Sequence, residues 1–133
     1  MRRVLIGSMA MIAAATPALA IDGTYRGHGG EGRPGGYTWQ VYARVKRIEA
    51  DRYRANIQVA HNSCASGVTG EGRLVGKTLL IRSESCEIEA TFKGQRMRIS
   101  ERRGCMSDHG ALCTYDGAAR RVGPVGNQSW PRW

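Results

Sequence analysis

Apolar and polar residues alternate along several short runs of this chain, and a period of two is the pattern of half-buried β-strands. In the run from Trp39 to Val45 every second residue is apolar, and a second run repeats this pattern from Tyr53 to Val59. A short polar break separates the two runs, which is typical of a β-hairpin. Beyond residue 20 no stretch shows the period of an amphipathic helix.

A further hairpin is predicted where alternation resumes between Cys86 and Glu101. The dipeptide Lys93-Gly94 suits a two-residue turn between the two strands. With the turn at that point, Glu89 lies opposite Arg98. A cross-strand ion pair would then explain this arginine by structure, without a binding site.

These runs decide the fold class. Short strands are also predicted at residues 23–26 and 78–82, and the 18 glycines of the 133 residues favour turns over helices. We therefore predict an all-β fold, a small antiparallel β-barrel or sandwich of six to eight strands. The length suits one domain, which we place at residues 21–117, followed by a basic, tryptophan-containing tail at 118–133.

The first 20 residues have the composition of a cleavable secretory signal peptide. Arg2 and Arg3 precede an apolar run, and Ala18-Leu19-Ala20 has the small-x-small pattern of a cleavage site. The apolar run is shorter than the ~20 residues that cross a bilayer. We therefore predict a periplasmic or secreted protein, and the loss of two arginines lowers its formal net charge from +9 to +7.

Four cysteines follow the predicted signal peptide: Cys64, Cys86, Cys105 and Cys113. An even number in a short exported chain predicts two disulfides, for which three pairings are open. We favour Cys64–Cys86 and Cys105–Cys113, because each pair would close a loop that local strand pairing could bring together. A zinc site on Cys105, His109 and Cys113 is the alternative, but its spacing departs from that of structural zinc motifs. We expect neither a metal nor a cofactor.

A candidate anion-binding patch lies on the first hairpin. If the two strands are joined by a three-residue loop, Arg44 lies opposite Asn56 and Lys46 lies opposite Arg54. Like charges that face each other are unfavourable unless they are solvated or countered by an anion. Arg44, Lys46 and Arg54 are therefore candidate anion ligands, and a plain solvated face is the alternative.

Two further segments are candidates for contact with a partner. His109 lies midway between the last two cysteines, where a disulfide between them would present it at the tip of a stapled loop. Trp130, Arg132 and Trp133 end the chain, and arginine with tryptophan suits membrane interfaces or stacked ligands. The alternatives are an ordinary loop histidine and a tail that is either frayed or laid across the domain to hide its tryptophans.

The pattern Cys-x3-His-Gly-x2-Cys-x-Tyr-Asp-Gly runs from Cys105 to Gly117. With the Gly-x-Tyr start at Gly23 and the positions of Cys64 and Cys86, it resembles the ending of small exported bacterial proteins of unassigned function. In size and strand content the chain also looks like periplasmic lysozyme inhibitors, which are compact β-barrels. The first resemblance implies no activity, and the second implies binding to another protein.

The motifs of common hydrolases are missing from the sequence. It contains neither Gly-x-Ser-x-Gly nor His-Glu-x-x-His, and its three histidines form no recognisable acid–base pair. We therefore predict no enzymatic activity. Positive charge and a bias toward arginine favour a module that binds anionic cell-envelope material, with peripheral membrane contact as one form of it. Export makes nucleic acid a less available partner. The alternative is an exported protein-interaction module, such as a lysozyme or protease inhibitor.

Overall fold

The computed structural model describes residues 7, 20–30, 37–62, 64–84, 86–105 and 113–126. Eight antiparallel strands follow one another around a closed barrel, and the last strand pairs with the first. The all-β prediction is therefore confirmed, and the architecture is a barrel rather than a sandwich. The strands are β1 (Gly23–Gly29), β2 (Trp39–Glu49), β3 (Arg52–His61), β4 (Cys64–Val75), β5 (Thr78–Arg82), β6 (Glu87–Lys93), β7 (Arg96–Arg103) and β8 (Gly117–Gly123).

Except for Gly7 and Ala20, the predicted signal peptide lies outside the described residues. In the part of the chain that the structure describes, no helix is long and apolar enough to cross a membrane.

Side chains fill the interior of the barrel. The alternating apolar residues of β2 and β3 point inward, as the sequence predicted, and each is at most 4% exposed. The largest fully buried side chains are those of Trp39, Tyr25, Tyr115 and Phe92. An eight-stranded barrel is just wide enough for such side chains. This packing leaves the outer surface and the ends of the barrel for contact with ligands.

The β2–β3 hairpin has the register that the sequence predicted. Arg44 lies opposite Asn56, and Lys46 lies opposite Arg54. A bulge between Arg47 and Glu49 adjusts the pairing next to the turn. Because the bulge lies at the turn end, it leaves the alternation of the rest of the hairpin intact.

The β6–β7 hairpin forms, but its register differs by two residues from the predicted one. Lys93 pairs with Arg96, so the turn lies at Gly94-Gln95 rather than at Lys93-Gly94. Gly94 has a φ of +58°, a left-handed conformation that glycine adopts without steric cost and that tight hairpin turns require. A shift of two residues keeps the same side chains buried, so the alternating pattern could not distinguish the two registers.

Strand β4 was not expected, although with 12 residues it is the longest in the barrel. Its glycines at 67, 70 and 72 give it a low strand propensity. The structure explains two of them directly, because a Cβ built on Gly70 would clash with the carbonyl oxygen of Arg82 and one built on Gly72 with that of Leu80, both on β5. Glycine lets the neighbouring backbone approach closely where the sheet coils.

Strand β8 corrects the predicted domain boundary. We placed the end of the domain at Gly117, but β8 begins there and continues to Gly123, where it closes the barrel between β7 and β1. The first part of the predicted tail is therefore part of the barrel. Its Ala-Ala-Arg-Arg sequence does not alternate in polarity, so the sequence does not predict a strand there.

Two disulfides form, as predicted, but between other partners than the favoured ones. Cys64 bonds to Cys113, and Cys86 bonds to Cys105. Cys86 and Cys105 flank the open end of the β6–β7 hairpin, just outside the Glu87–Arg103 pair, so antiparallel pairing brings them together. Since all four cysteines are bonded, they cannot serve as the thiolate ligands of the alternative zinc site. Two disulfides indicate an oxidising, extracellular or periplasmic environment.

Tyr25 gives the barrel a predicted sensitivity to high pH. Its ring packs edge-on against Phe92 and its hydroxyl donates a hydrogen bond to the carbonyl of Ile21 at 2.7 Å. Burial raises the pKa of Tyr25 to about 12, and the nearby Arg121 opposes that shift. Because this value exceeds the unfolded value of 10.0, the contribution to stability is complete below pH 10 and is lost as the pH rises toward 12.

We expect an absorbance titration of tyrosinate to show a step near pH 12 that Tyr25→Phe removes. The free energy of unfolding of the Phe variant should also fall less steeply between pH 10 and 12 than that of the unmodified protein. If both proteins show the same titration, Tyr25 is not the group with the raised pKa.

Candidate cationic site

The arginines of the barrel differ in whether a carboxylate accompanies them. Four exposed arginines on β1, β7 and β8 have no ion-pair partner among the described residues: Arg26, Arg96, Arg98 and Arg120. Five others, mostly exposed as well, form salt bridges of 2.9–3.3 Å with glutamate or aspartate: Arg52, Arg73, Arg82, Arg102 and Arg103. On this side of the barrel, four guanidinium groups therefore carry positive charge that no ion pair among the described residues compensates.

The strand register brings four exposed cations into line. Lys93 on β6 lies opposite Arg96 on β7, Arg96 lies opposite Arg120 on β8, and Arg120 lies opposite Arg26 on β1. Each of four neighbouring strands therefore contributes one cation, and adjacent strands are about 4.8 Å apart. We call Lys93, Arg96, Arg120 and Arg26 the cationic row.

Small residues open shallow grooves beside the cationic row. Ala118, two residues from Arg120 on the same face, lies between Arg98 and His28 on the neighbouring strands. A groove of about 300 Å³ is lined by Arg26, Gly27, Arg96, Ala118, Ala119 and Arg120. A second groove of about 360 Å³ is lined by Lys93, Gln95, Arg96 and Arg120. Both grooves give a ligand access to the guanidinium groups from the side.

The electrostatics of the cationic row favour an anion. Strands β1 and β8 contain no acidic residue, and the one acid of β7, Glu101, accepts the backbone N–H of Tyr115 at 2.7 Å. The two glutamates of β6 form ion pairs with arginines outside the row. Like charges directly opposite each other in a sheet are destabilising. The guanidinium of Arg26 lies 5.4 Å from the centre of the Tyr42 ring, a cation–π contact that leaves its charge in place. A bound anion would relieve the repulsion along the row.

A larger cleft of about 640 Å³ adjoins this face at one end of the barrel, with Arg98, His28 and Asp116 among the residues that line it. Both carboxylate oxygens of Asp116 accept hydrogen bonds, one from the backbone N–H of Glu101 at 2.7 Å and one from the hydroxyl of Thr114 at 3.0 Å. These bonds fix the segment that precedes β8. The carboxylate of Asp116, which lines the cleft, is therefore held in place by hydrogen bonds. Arg98, which also lines the cleft, lies on the same outer face as the cationic row.

The structure places the predicted anion patch on β2 and β3, beyond the β1 end of the cationic row. Arg44 is only 4% exposed, which removes it from any surface patch. Lys46 and Arg54 are exposed and face each other, but Arg54 also lies opposite Glu71 on β4, which supplies a counter-charge. The cationic row offers more uncompensated charge than this pair does.

The other predicted contact residues, His109, Trp130, Arg132 and Trp133, lie outside the described residues. The disulfide expected to staple a loop around His109 does not form, because Cys105 bonds to Cys86 and Cys113 bonds to Cys64. Both ends of segment 106–112 are thus fixed to the barrel, each by a different bond.

Sequence reasoning missed the cationic row for two reasons. Its members lie on strands far apart in the chain, and the predicted turn contained Lys93, which in the structure lies opposite Arg96 on β7. In the observed register Glu89 lies opposite Ser100 and forms its ion pair with Arg102 at 3.1 Å. The lack of acids in residues 23–29 and 117–123 was the available signal, but it had meaning only once β8 was recognised as a strand.

The two resemblances drawn from the sequence remain predictions. No protein-family model, curated protein or solved structure matches this chain.

Proposed function

We propose that this protein is an exported, non-enzymatic module that binds anionic cell-envelope material through the cationic row. The observation that carries this proposal is the alignment of Lys93, Arg96, Arg120 and Arg26 on four neighbouring strands without a carboxylate beside them. A guanidinium group donates two parallel hydrogen bonds to a carboxylate or phosphate, so a row of them suits a ligand with repeated anionic groups.

The inferred compartment supports this choice of partner. Two disulfides suit an oxidising environment, and the signal-like segment at residues 1–20 supports export. Lipid headgroups, lipopolysaccharide phosphates and acidic polysaccharides are the anionic groups that an exported protein meets at the envelope. Peripheral contact with a membrane is one form of this binding, and nucleic acid is a less available partner there.

Replacing two cations at the centre of the row tests the proposal. We expect Arg96→Gln combined with Arg120→Gln to weaken binding to lipopolysaccharide or acidic polysaccharide on the order of tenfold, because two exposed charge contacts are lost. Calorimetry at low salt would measure the affinity. Binding by the unmodified protein should also weaken as salt rises toward 0.1 M, where the screening length is about 10 Å.

Arg52→Gln combined with Arg73→Gln is the matched control. These two arginines also face each other on neighbouring strands, but they form salt bridges with Glu49 and Asp51 and lie across the barrel from β7 and β8. The change in net charge is the same, yet binding should change little. An equal loss in both double variants, or binding that resists high salt, would contradict a site at the cationic row.

The alternative function is an inhibitor or other protein-interaction module. The observation in its favour is that Cys105 and Cys113, the residues on either side of positions 106–112, are each fixed to the barrel by a disulfide, and fixed ends reduce the entropy that a segment loses on binding. Inhibition of a lysozyme or protease at a near-equimolar ratio, unaffected by substitutions at Arg96 and Arg120, would favour this function over anion binding.

A further inference from the structure

Building on the proposed function, we propose that the ligand of the cationic row is a linear acidic polysaccharide that bends around the barrel, and not the flat surface of a membrane. The inference concerns the shape of the ligand, and it follows from the placement of the four cations in the closed sheet. A carboxylate on each sugar would meet one cation of the row.

The curvature of the barrel separates a chain from a surface. The row runs from Lys93 on β6 to Arg26 on β1 and so crosses three of the eight steps around the closed barrel, an arc of about 135°. A flat surface that touches Arg96 and Arg120 at the middle of this arc turns away from both ends of it. A flexible chain can follow the arc and reach all four cations.

The spacing of the row suits one anionic group per sugar. Neighbouring strands are about 4.8 Å apart at the backbone, which is close to the length of one hexose in an extended chain, and long, flexible side chains can bring their charged ends to successive sugars. Each of the three arginines can hold a carboxylate through two hydrogen bonds. A chain of four acidic sugars therefore spans the row from end to end, and a shorter one leaves cations unused.

The residues that continue the row also suit a sugar chain. Beyond Arg26 the register leads to Tyr42 on β2 and then to Gln58 on β3. Both are half-buried, and they offer an aromatic ring, a hydroxyl and an amide instead of further charge. Aromatic rings and polar side chains are groups that contact sugar rings and their hydroxyls, so the chain has a path past the last cation.

Oligogalacturonates of two, four and eight residues test this inference, with phosphatidylglycerol vesicles as the flat alternative. For the purified protein we expect affinity to rise on the order of tenfold from the dimer to the tetramer, because two more charge contacts form. The rise from tetramer to octamer should be much smaller. Lys93→Gln combined with Arg26→Gln, at the two ends of the row, should abolish the gain from dimer to tetramer.

The outcomes separate this inference from the proposed function. Strong binding to the vesicles and weak binding to the octamer, both sensitive to Arg96→Gln with Arg120→Gln, would overturn the polysaccharide ligand while the anion-binding function stands. Equal affinity for dimer and tetramer would also overturn the inference. If neither the octamer nor the vesicles bind, both the inference and the proposed function fail. The Arg52→Gln and Arg73→Gln control should keep the full dependence on chain length.

Discussion

Gly27→Ala is expected to lower the free energy of unfolding by about 4 kcal/mol or more, a loss that few single substitutions reach. Gly27 lies on β1 opposite Ala119 of β8, at the seam where the barrel closes. A Cβ built on Gly27 would overlap the carbonyl oxygen of Ala118. Since the obstacle is backbone, the strands must separate to admit one methyl group, and their hydrogen bonds weaken. Urea unfolding, followed by circular dichroism, would measure the change.

Gly123→Ala is the matched control for this prediction. Gly123 lies at the other end of the same seam, opposite Thr24, and a Cβ built there meets nothing within 4 Å. Its stability should be unchanged or slightly higher, because alanine reduces the freedom of the unfolded chain. If Gly27→Ala unfolds at the same urea concentration as Gly123→Ala, the close approach of β1 and β8 is wrong.

Removal of the Cys64–Cys113 bond is expected to cost more than removal of the Cys86–Cys105 bond. The two bonds join residues 49 and 19 positions apart. Restriction of the unfolded chain then predicts stabilisation by about 4 and about 3 kcal/mol, respectively. Each is a large share of the 5–15 kcal/mol that is typical of a folded domain. We expect Cys64→Ala with Cys113→Ala to leave the barrel marginally stable.

Urea unfolding of the two double alanine variants would test this order, since the buried surface of the barrel is otherwise the same. Peptide mapping without reduction should recover residues 64 and 113 in one linked pair and residues 86 and 105 in another. Larger destabilisation in Cys86→Ala with Cys105→Ala would contradict the entropic argument. Recovery of a Cys105–Cys113 peptide would contradict the observed pairing itself.

The fold class could be predicted from the sequence because a period of two is a local property. The inward-facing residues of β2 and β3 follow from alternation alone, and a short turn fixed the pairing of Lys46 with Arg54. Register is less well determined elsewhere. On β6 and β7 a shift of two residues buries the same side chains, so alternation cannot select the register, which Gly94 at the turn and the Cys86–Cys105 bond at the open end both accompany.

The cationic row could not be predicted because it depends on contacts between distant parts of the chain. Arg26 and Arg120 are neighbours only because β8 closes the barrel against β1. A shift of two residues in the β6–β7 register also changes which arginine of β7 lies near the carboxylate of Glu89: Arg98 in the predicted register and Arg102 in the observed one. Charge alone predicted an anionic ligand, but a candidate position for it required the closed sheet. The predicted patch failed at Arg44 for a similar reason, since burial on the outer face is a property of the assembled barrel.

The nested order of the two disulfides has a consequence for cleavage of the backbone. The span closed by Cys86–Cys105 lies wholly within the span closed by Cys64–Cys113. A single cut between residues 106 and 112 would therefore release no fragment from the oxidised protein, because Cys113 still ties the part that contains β8 to β4. The polypeptide between Cys64 and Cys113 is therefore not the only covalent link between these two residues, and the strand that carries Arg120 stays attached even when that polypeptide is cut once.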